Sequence, residues 1–155
     1  MADLVTEGRD AFVRFWSTLH EATFRVSGGR ALTRILGMSV IQLTTTGRRT
    51  GELRSTILTA PVIEEERIVL VGSNGGDDRH PQWYLNMVAQ PTVRVTRGGV
   101  ERQFRGRVAH GSERADLWRT IRTVTPVYEL HQRRTSRELP VVVLETGRLP
   151  PDPTA

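Results

Sequence analysis

Pro91-Thr92-Val93-Arg94-Val95-Thr96 and Val100-Glu101-Arg102-Gln103-Phe104-Arg105-Gly106-Arg107-Val108-Ala109-His110 flank the pair Gly98-Gly99. Two β-forming runs around a glycine pair read as an antiparallel hairpin, because glycine enters left-handed turns without a Cβ penalty. Working outward, Val40-Ile41-Gln42-Leu43-Thr44 predicts a strand ended by Gly47. Leu53 to Ile63 predicts a second, long strand, with Glu64-Glu65-Glu66 as its polar turn. Arg67 to Val71, closed by Gly72, is a third, and Leu139 to Glu145 is the last. Two short helices interrupt them. One runs from about Pro81 to Ala89, with proline in its first turn. The other starts near Ser112, where Glu113 and Asp116 suit a helix N-terminus, and carries Leu117, Trp118 and Ile121. About six antiparallel strands with few helices predict a mainly β fold with flanking helices (α+β), a small barrel. A doubly wound nucleotide fold needs strand–helix alternation, which is absent.

Upstream, about Asp3 to Val26 predicts an amphipathic helix ended by Gly28-Gly29. Phe12, Phe15, Trp16 and Leu19 recur on one face, with Arg14, Thr18, Glu21 and Arg25 opposite. Such a face suits either the domain's own core, a partner subunit or an anionic membrane surface. The expected organisation is a helical segment over 1–36, a barrel over 37–148 and a Pro-rich, disordered tail over 149–155.

The chain has 155 residues, which favours one domain, and no cysteine, which excludes disulfides, thiolate metal sites and cysteine nucleophiles. All 22 basic residues are arginine, and the formal charge is +5. Arginine suits bidentate recognition of phosphate and carboxylate, so anionic ligands are favoured. No helix-turn-helix, RNP-like or zinc-finger pattern accompanies the charge, so nucleic acid is not expected. Neither a membrane-length apolar run nor a signal peptide is visible, and a soluble, cytoplasmic protein is expected.

Three segments carry candidate chemistry. Thr44-Thr45-Thr46-Gly47-Arg48-Arg49-Thr50-Gly51, followed by Arg54, sets hydroxyls, glycines and guanidinium groups after a strand, a combination that either binds anions or forms a solvated turn. Gly72-Ser73-Asn74-Gly75-Gly76-Asp77-Asp78-Arg79-His80-Pro81 can wrap close to a flat ligand, but lacks dinucleotide spacing. Its acids lie in a glycine-rich turn, so no metal site is expected. In Pro81-Gln82-Trp83-Tyr84-Leu85-Asn86, Trp83 and Asn86 share a helix face, suited to stacking and hydrogen bonding or to ordinary core packing.

Together and in this order, the three segments resemble the deazaflavin-dependent nitroreductase family, whose members bind the 8-hydroxy-5-deazaflavin coenzyme F420. The resemblance covers about Val40 to Leu144 and is carried by Leu43-Thr44-Thr45-Thr46-Gly47-Arg48, Ser73-Asn74-Gly75-Gly76 and His80-Pro81-Gln82-Trp83-Tyr84-Leu85-Asn86. It implies a split β-barrel of the FMN-binding-like type with the cofactor in a groove. Arg48, Arg49 and Arg54 would face the coenzyme's phosphate and glutamyl carboxylates. Thr56, Ile57 and Leu58 would run beside the deazaflavin ring. Ser73, Asn74, Gly75 and Gly76 would hold the phospholactyl stretch, with Trp83 and Asn86 supporting that wall.

Two departures stand out. Asn74 occupies a position that is commonly lysine in the family. The Tyr-rich stretch over the substrate reads Pro126-Val127-Tyr128-Glu129-Leu130-His131, keeping Tyr128 and placing His131 where a second tyrosine sits. These two are the candidate catalytic residues, as hydrogen-bond or proton donors to the acceptor. The implied activity is hydride transfer from reduced F420 to a quinone, enone or nitroaromatic, the coenzyme supplying the hydride and the protein its placement. Membrane quinones would give the N-terminal helix a docking role. Two alternatives stay open: a non-catalytic cofactor- or lipid-binding barrel, and an FMN-dependent reductase, yellow as purified.

Overall fold

The computed structural model describes residues 34–35 and 38–147; the proposed N-terminal helix and the Pro-rich tail lie outside these residues. The described strands are β1 (Arg34–Ile35), β2 (Met38–Thr46), β3 (Leu53–Ala60), β4 (Val62–Ile63), β5 (Arg67–Val71), β6 (Thr92–Arg97), β7 (Val100–Val108) and β8 (Val141–Glu145). Among the described residues three helices accompany them: α1 (Gln82–Ala89), α2 (Gly111–Val124) and α3 (Val127–Arg133). A 3-10 turn spans Asn74–Gly76. Every strand pairing is antiparallel, in the order β1-β2-β6-β7-β8-β5-β4, with β3 paired to β2. The sheet curls until β3 lies close to β5, which gives a split β-barrel.

The hairpin stands as read. Arg97 pairs with Val100 across Gly98 and Gly99, whose φ angles of 57° and 81° require the glycine pair. The long strand over Leu53–Ile63 does not form as one. Pro61 has no N–H to give a ladder, and it separates β3, which pairs β2, from β4, which pairs β5. The last strand starts at Val141 rather than Leu139, because Pro140 precedes it and the Leu139 N–H is taken by Gln132 Oε1 at 2.9 Å. Helix α3 was not foreseen. Seven residues after Pro126 are too few to show a helical period, and tertiary hydrogen bonds anchor the helix instead.

Two apolar clusters explain the strand composition. Ile68, Leu70, Val142 and Leu144 point into the barrel with Ile41, Leu43, Val93, Val95, Phe104 and, from α1, Trp83 and Met87. Val69, Val71, Val141 and Val143 point the other way, beneath Leu117, Ile121 and Tyr128 of α2 and α3. Strands β5 and β8 are therefore covered on both faces, which is why they read as unbroken apolar runs instead of alternating. Helix α1 seats itself through Trp83 and Met87, one turn apart, and that seating aims Asn86 toward the β2–β3 loop.

Candidate functional site

Strand β3 hydrogen-bonds β2 along its whole length, and its other edge faces a cavity of about 890 Å³. The half-buried Thr56, Ile57, Leu58 and Thr59 form this edge. Among the described residues this edge is unpaired, and such an edge offers alternating N–H and C=O groups to a flat ligand. At one end the cavity is bounded by the β2–β3 loop, which carries Arg48 and Arg49, and by Arg54 at the start of β3. Ser73, Asn74 and Gly75 of the 3-10 turn line it, with Trp83 and Asn86 of α1, and Tyr128 and His131 of α3 close the far side.

The β2–β3 loop is knitted from within. Gly47 N–H donates to Glu52 O at 2.7 Å, Gly51 N–H to Gly47 O at 2.8 Å, and Gly51 adopts φ 73°. Arg48 is held by Asn86, whose Oδ1 accepts from Nη1 at 2.9 Å and from the Arg48 backbone N–H at 3.2 Å. Asn86 Nδ2 donates in turn to the buried Thr45 Oγ1 at 3.3 Å. Asn86 is thus a strut for Arg48. Arg54 pairs with Glu52 at 2.6 Å, but both side chains are more than half exposed. Ion pairs this wet are worth at most about 1 kcal/mol, so the guanidinium exchanges readily onto a ligand anion.

The Ser73 turn has a different geometry. Ser73 is right-handed (φ −77°, ψ −34°) and is followed by three positive φ values, 48° at Asn74, 66° at Gly75 and 85° at Gly76. A right-handed residue followed by left-handed ones gathers backbone N–H groups into a concavity suited to an anion. Gly75 faces open space, so a ligand can approach the backbone there. Gly76, also expected to hold the ligand, is not part of the cavity wall. It is buried against α3, where an added Cβ would stand 2.7 Å from the His131 carbonyl oxygen and 2.9 Å from Arg134 Cβ. Its requirement for glycine is a packing requirement.

The far wall holds two polar contacts. The Tyr128 hydroxyl lies 2.9 Å from Thr59 Oγ1 and also donates to the Thr59 carbonyl at 3.3 Å. Burial pushes this phenol above its usual range, so it is a neutral donor at physiological pH. His131 Nδ1 lies 3.1 Å from Ser73 Oγ. Burial, with a smaller contribution from Arg134, holds the imidazole below its ordinary value, which favours the neutral ring. The two rings meet edge to face, 5.9 Å between centroids.

The structure brings together every residue proposed from the sequence except Gly76. Sequence reasoning gave no role to Thr59 and Val127, which also line the cavity, or to Arg137, which holds the Ser73 turn from behind. The Thr59 hydroxyl lies in plain β-strand sequence, where no local signal marks it.

A curled antiparallel sheet with a groove along one strand edge, walled by arginines and by an anion-shaped turn, defines a split-barrel cofactor-binding protein. A family model described as F420H(2)-dependent quinone reductase matches residues 16–146. The chain belongs to this F420H2-dependent quinone reductase family, and is an oxidoreductase that uses coenzyme F420. It is 36% identical over 130 residues to an F420H(2)-dependent quinone reductase of Mycobacterium tuberculosis, covering 81% of this chain and 87% of that protein. Among solved structures, an F420-H2 dependent reductase (FDR-A) matches with a TM-score of 0.62 and 36% identity, over 68% of this chain and 93% of that one. A second, described as a domain-swapped dimer, matches with a TM-score of 0.64 and 33% identity, over 82% of this chain and 96% of that one.

The residues present fit the coenzyme. Its phosphate and carboxylates require cations and backbone donors, supplied by the arginine loop and the Ser73 turn. Its planar ring requires a slot with edge donors and acceptors, supplied by β3.

Proposed function

We propose that the chain reduces a quinone, with the ring of F420 lying along Thr56–Leu58 and its anionic tail running between the arginine loop and the Ser73 turn. The observation that carries this reading is the polarity of one cavity. Guanidinium groups lie toward the Arg54 end of β3 and a neutral phenol at its Thr59 end, with a strand edge that is unpaired among the described residues between. When bound, reduced F420 supplies the hydride.

The protein's own residues do the rest. Arg48, fixed by Asn86, and the exposed Arg49 and Arg54 neutralise the tail. Ser73, Asn74 and Gly75 hold its phosphate stretch through the backbone. Asn74 contributes no charge where the family commonly has lysine, and its side chain is spent on the Arg79 carbonyl at 3.2 Å. Trp83 and the β3 side chains exclude water from the ring. At the acceptor, Tyr128 turns its one hydroxyl hydrogen from the Thr59 carbonyl to the oxygen that gains electron density. His131, with Nδ1 engaged by Ser73, offers Nε2 as a further hydrogen-bonding group, and the proton that completes a hydroquinone comes from solvent. Enones and nitroaromatics share the electron-poor character of quinones and are further acceptors on this reading.

The protein acts in the cytoplasm, and the amphipathic pattern of Phe12, Phe15, Trp16 and Leu19 supports docking on a membrane surface where quinones reside. Liposome sedimentation with and without residues 1–30 tests that part; equal sedimentation overturns it. The main reading is tested by titrating the protein with F420, FMN and FAD, then mixing the reduced F420 complex with menadione. Selective F420 binding, weakened in Arg48→Ala and Arg54→Ala, with F420H2 consumed only when quinone is present, is expected. Preference for FMN favours the flavin-reductase alternative, and binding without turnover favours a carrier.

A further inference from the structure

Arg137 stands outside the cavity wall, yet its single guanidinium grips both ends of the turn that forms part of it. Nε donates to the Asp77 carbonyl at 2.8 Å, after the turn. Before the turn, Nη1 and Nη2 donate to the Gly72 carbonyl at 3.1 and 3.2 Å, and Nη2 to the Ser73 carbonyl at 2.9 Å. Between these anchors lie the three successive positive-φ residues, one of them a non-glycine. A backbone of that shape has little local preference to hold it, so its geometry depends on the carbonyls being drawn back toward one cation.

The remaining contact of the clamp is titratable. Nη1 donates to His80 Nδ1 at 3.2 Å, and since a guanidinium only donates, Nδ1 must carry its lone pair. A proton on Nδ1 removes this bond and sets imidazolium against guanidinium. The carboxylates of Asp77 and Asp78 also act on Arg137, and each already has a hydrogen-bond partner. Tyr84 packs its ring against the imidazole, 4.8 Å between centroids. The Asp77 carboxylate is bonded to the Arg79 backbone and side chain, and Asp78 Oδ1 accepts from Thr135 Oγ1 at 2.6 Å. Burial, then the Arg137 charge, keeps His80 below its ordinary value, so the clamp is closed at neutral pH.

We propose that Arg137 and His80 are a positioning couple that holds the Ser73–Gly75 turn in its ligand-binding shape and releases it when His80 is protonated. The proposal rests on the F420 reading for its ligand, while the turn's geometry stands apart from it. Neither residue lines the cavity; both act through the backbone of the turn.

His80→Asn is the mild variant, since Asn keeps an acceptor near the Nδ1 position but cannot be protonated. Arg137→Lys keeps the charge and loses the fork. Calorimetric titration with F420 is expected to show the wild-type Kd rising about fivefold more than that of His80→Asn between pH 7.5 and 5.5, the extra rise reporting one ionisable group. Arg137→Lys is expected to raise Kd and KM for the coenzyme about tenfold at pH 7.5, with kcat within about twofold of wild type. Amide hydrogen exchange over residues 72–77 reads the turn without any ligand. Protection is expected to fall on acidification in wild type and to persist in His80→Asn. Superimposable exchange profiles for wild type and His80→Asn overturn the couple, whatever F420 does. Wild-type protein that fails to bind F420 overturns the functional reading alone, leaving the exchange result to judge the clamp.

Discussion

Asn86 Oδ1 accepts two hydrogen bonds from one residue, Arg48, at 2.9 Å from Nη1 and 3.2 Å from the backbone N–H. A buried carboxamide on a core-packed helix thereby sets both the course of the β2–β3 loop and the direction of its first arginine.

Asn86→Ala is expected to strand the Arg48 N–H and the Thr45 hydroxyl, at a cost of about 1–3 kcal/mol in denaturant unfolding. The KM for F420H2 is expected to rise several-fold, because Arg48 is no longer aimed. Unchanged KM in a folded Asn86→Ala protein would show that Arg48 finds the ligand without its strut.

Tyr128→Phe keeps the buried ring and removes only the hydroxyl bonded to Thr59, so a loss of about 0.5–1.5 kcal/mol is expected from thermal unfolding. With quinone as acceptor, kcat is expected to fall while the Kd for F420 holds, since Tyr128 is placed at the acceptor end. Burial raises this phenol's pKa, so the rate profile of the wild type is expected to show no break from it up to its ordinary value of 10.

Stability is expected to fall on acidification through the two depressed histidines. The unfolded imidazoles take protons as pH drops through about 6.5, whereas His131 and His80 in the fold resist until lower pH. The unfolded chain then binds more protons, so stability is complete above 6.5 and is lost as pH falls toward the folded values. The double variant His80→Asn/His131→Asn is expected to flatten urea midpoints across that window. A wild-type slope retained in the double variant would assign it to other groups.

Two neighbouring glycines are expected to respond differently to alanine. At Gly75 the added Cβ meets nothing within 4 Å, so Gly75→Ala carries only the left-handed penalty of about 1–2 kcal/mol. At Gly76 the same penalty is joined by contacts of 2.7 Å with the His131 carbonyl of α3 and 2.9 Å with the Arg134 side chain that follows it. Gly76→Ala is expected to be the less stable variant by thermal denaturation, and to disturb His131. Equal melting temperatures would refute the packing role.

Much of this protein was legible along the chain because its causes are local. The Gly98-Gly99 pair is a hairpin wherever it stands, since φ values of 57° and 81° demand glycine. Arg67–Val71 and the apolar run of the last strand are strands because they are short, β-branched and bounded by glycine or proline. The arginine loop and the glycine turn were legible as anion-binding segments from composition and order, which is why nearly all the proposed residues meet in one cavity. The rest was decided in three dimensions. Pro61 divides a predicted strand between two partners, a choice that depends on where β2 and β5 lie. Helix α3 is too short to hold itself, and it forms because Tyr128 reaches Thr59, His131 reaches Ser73 and Gln132 caps the Arg137–Leu139 segment. Gly76 looks like a ligand residue in sequence and becomes a packing residue only once α3 covers it. Arg137 is one arginine among 22 until folding turns three carbonyls and an imidazole toward it. Local backbone preference writes strands and turns into a sequence, whereas contacts between residues some sixty positions apart exist only after the barrel has closed.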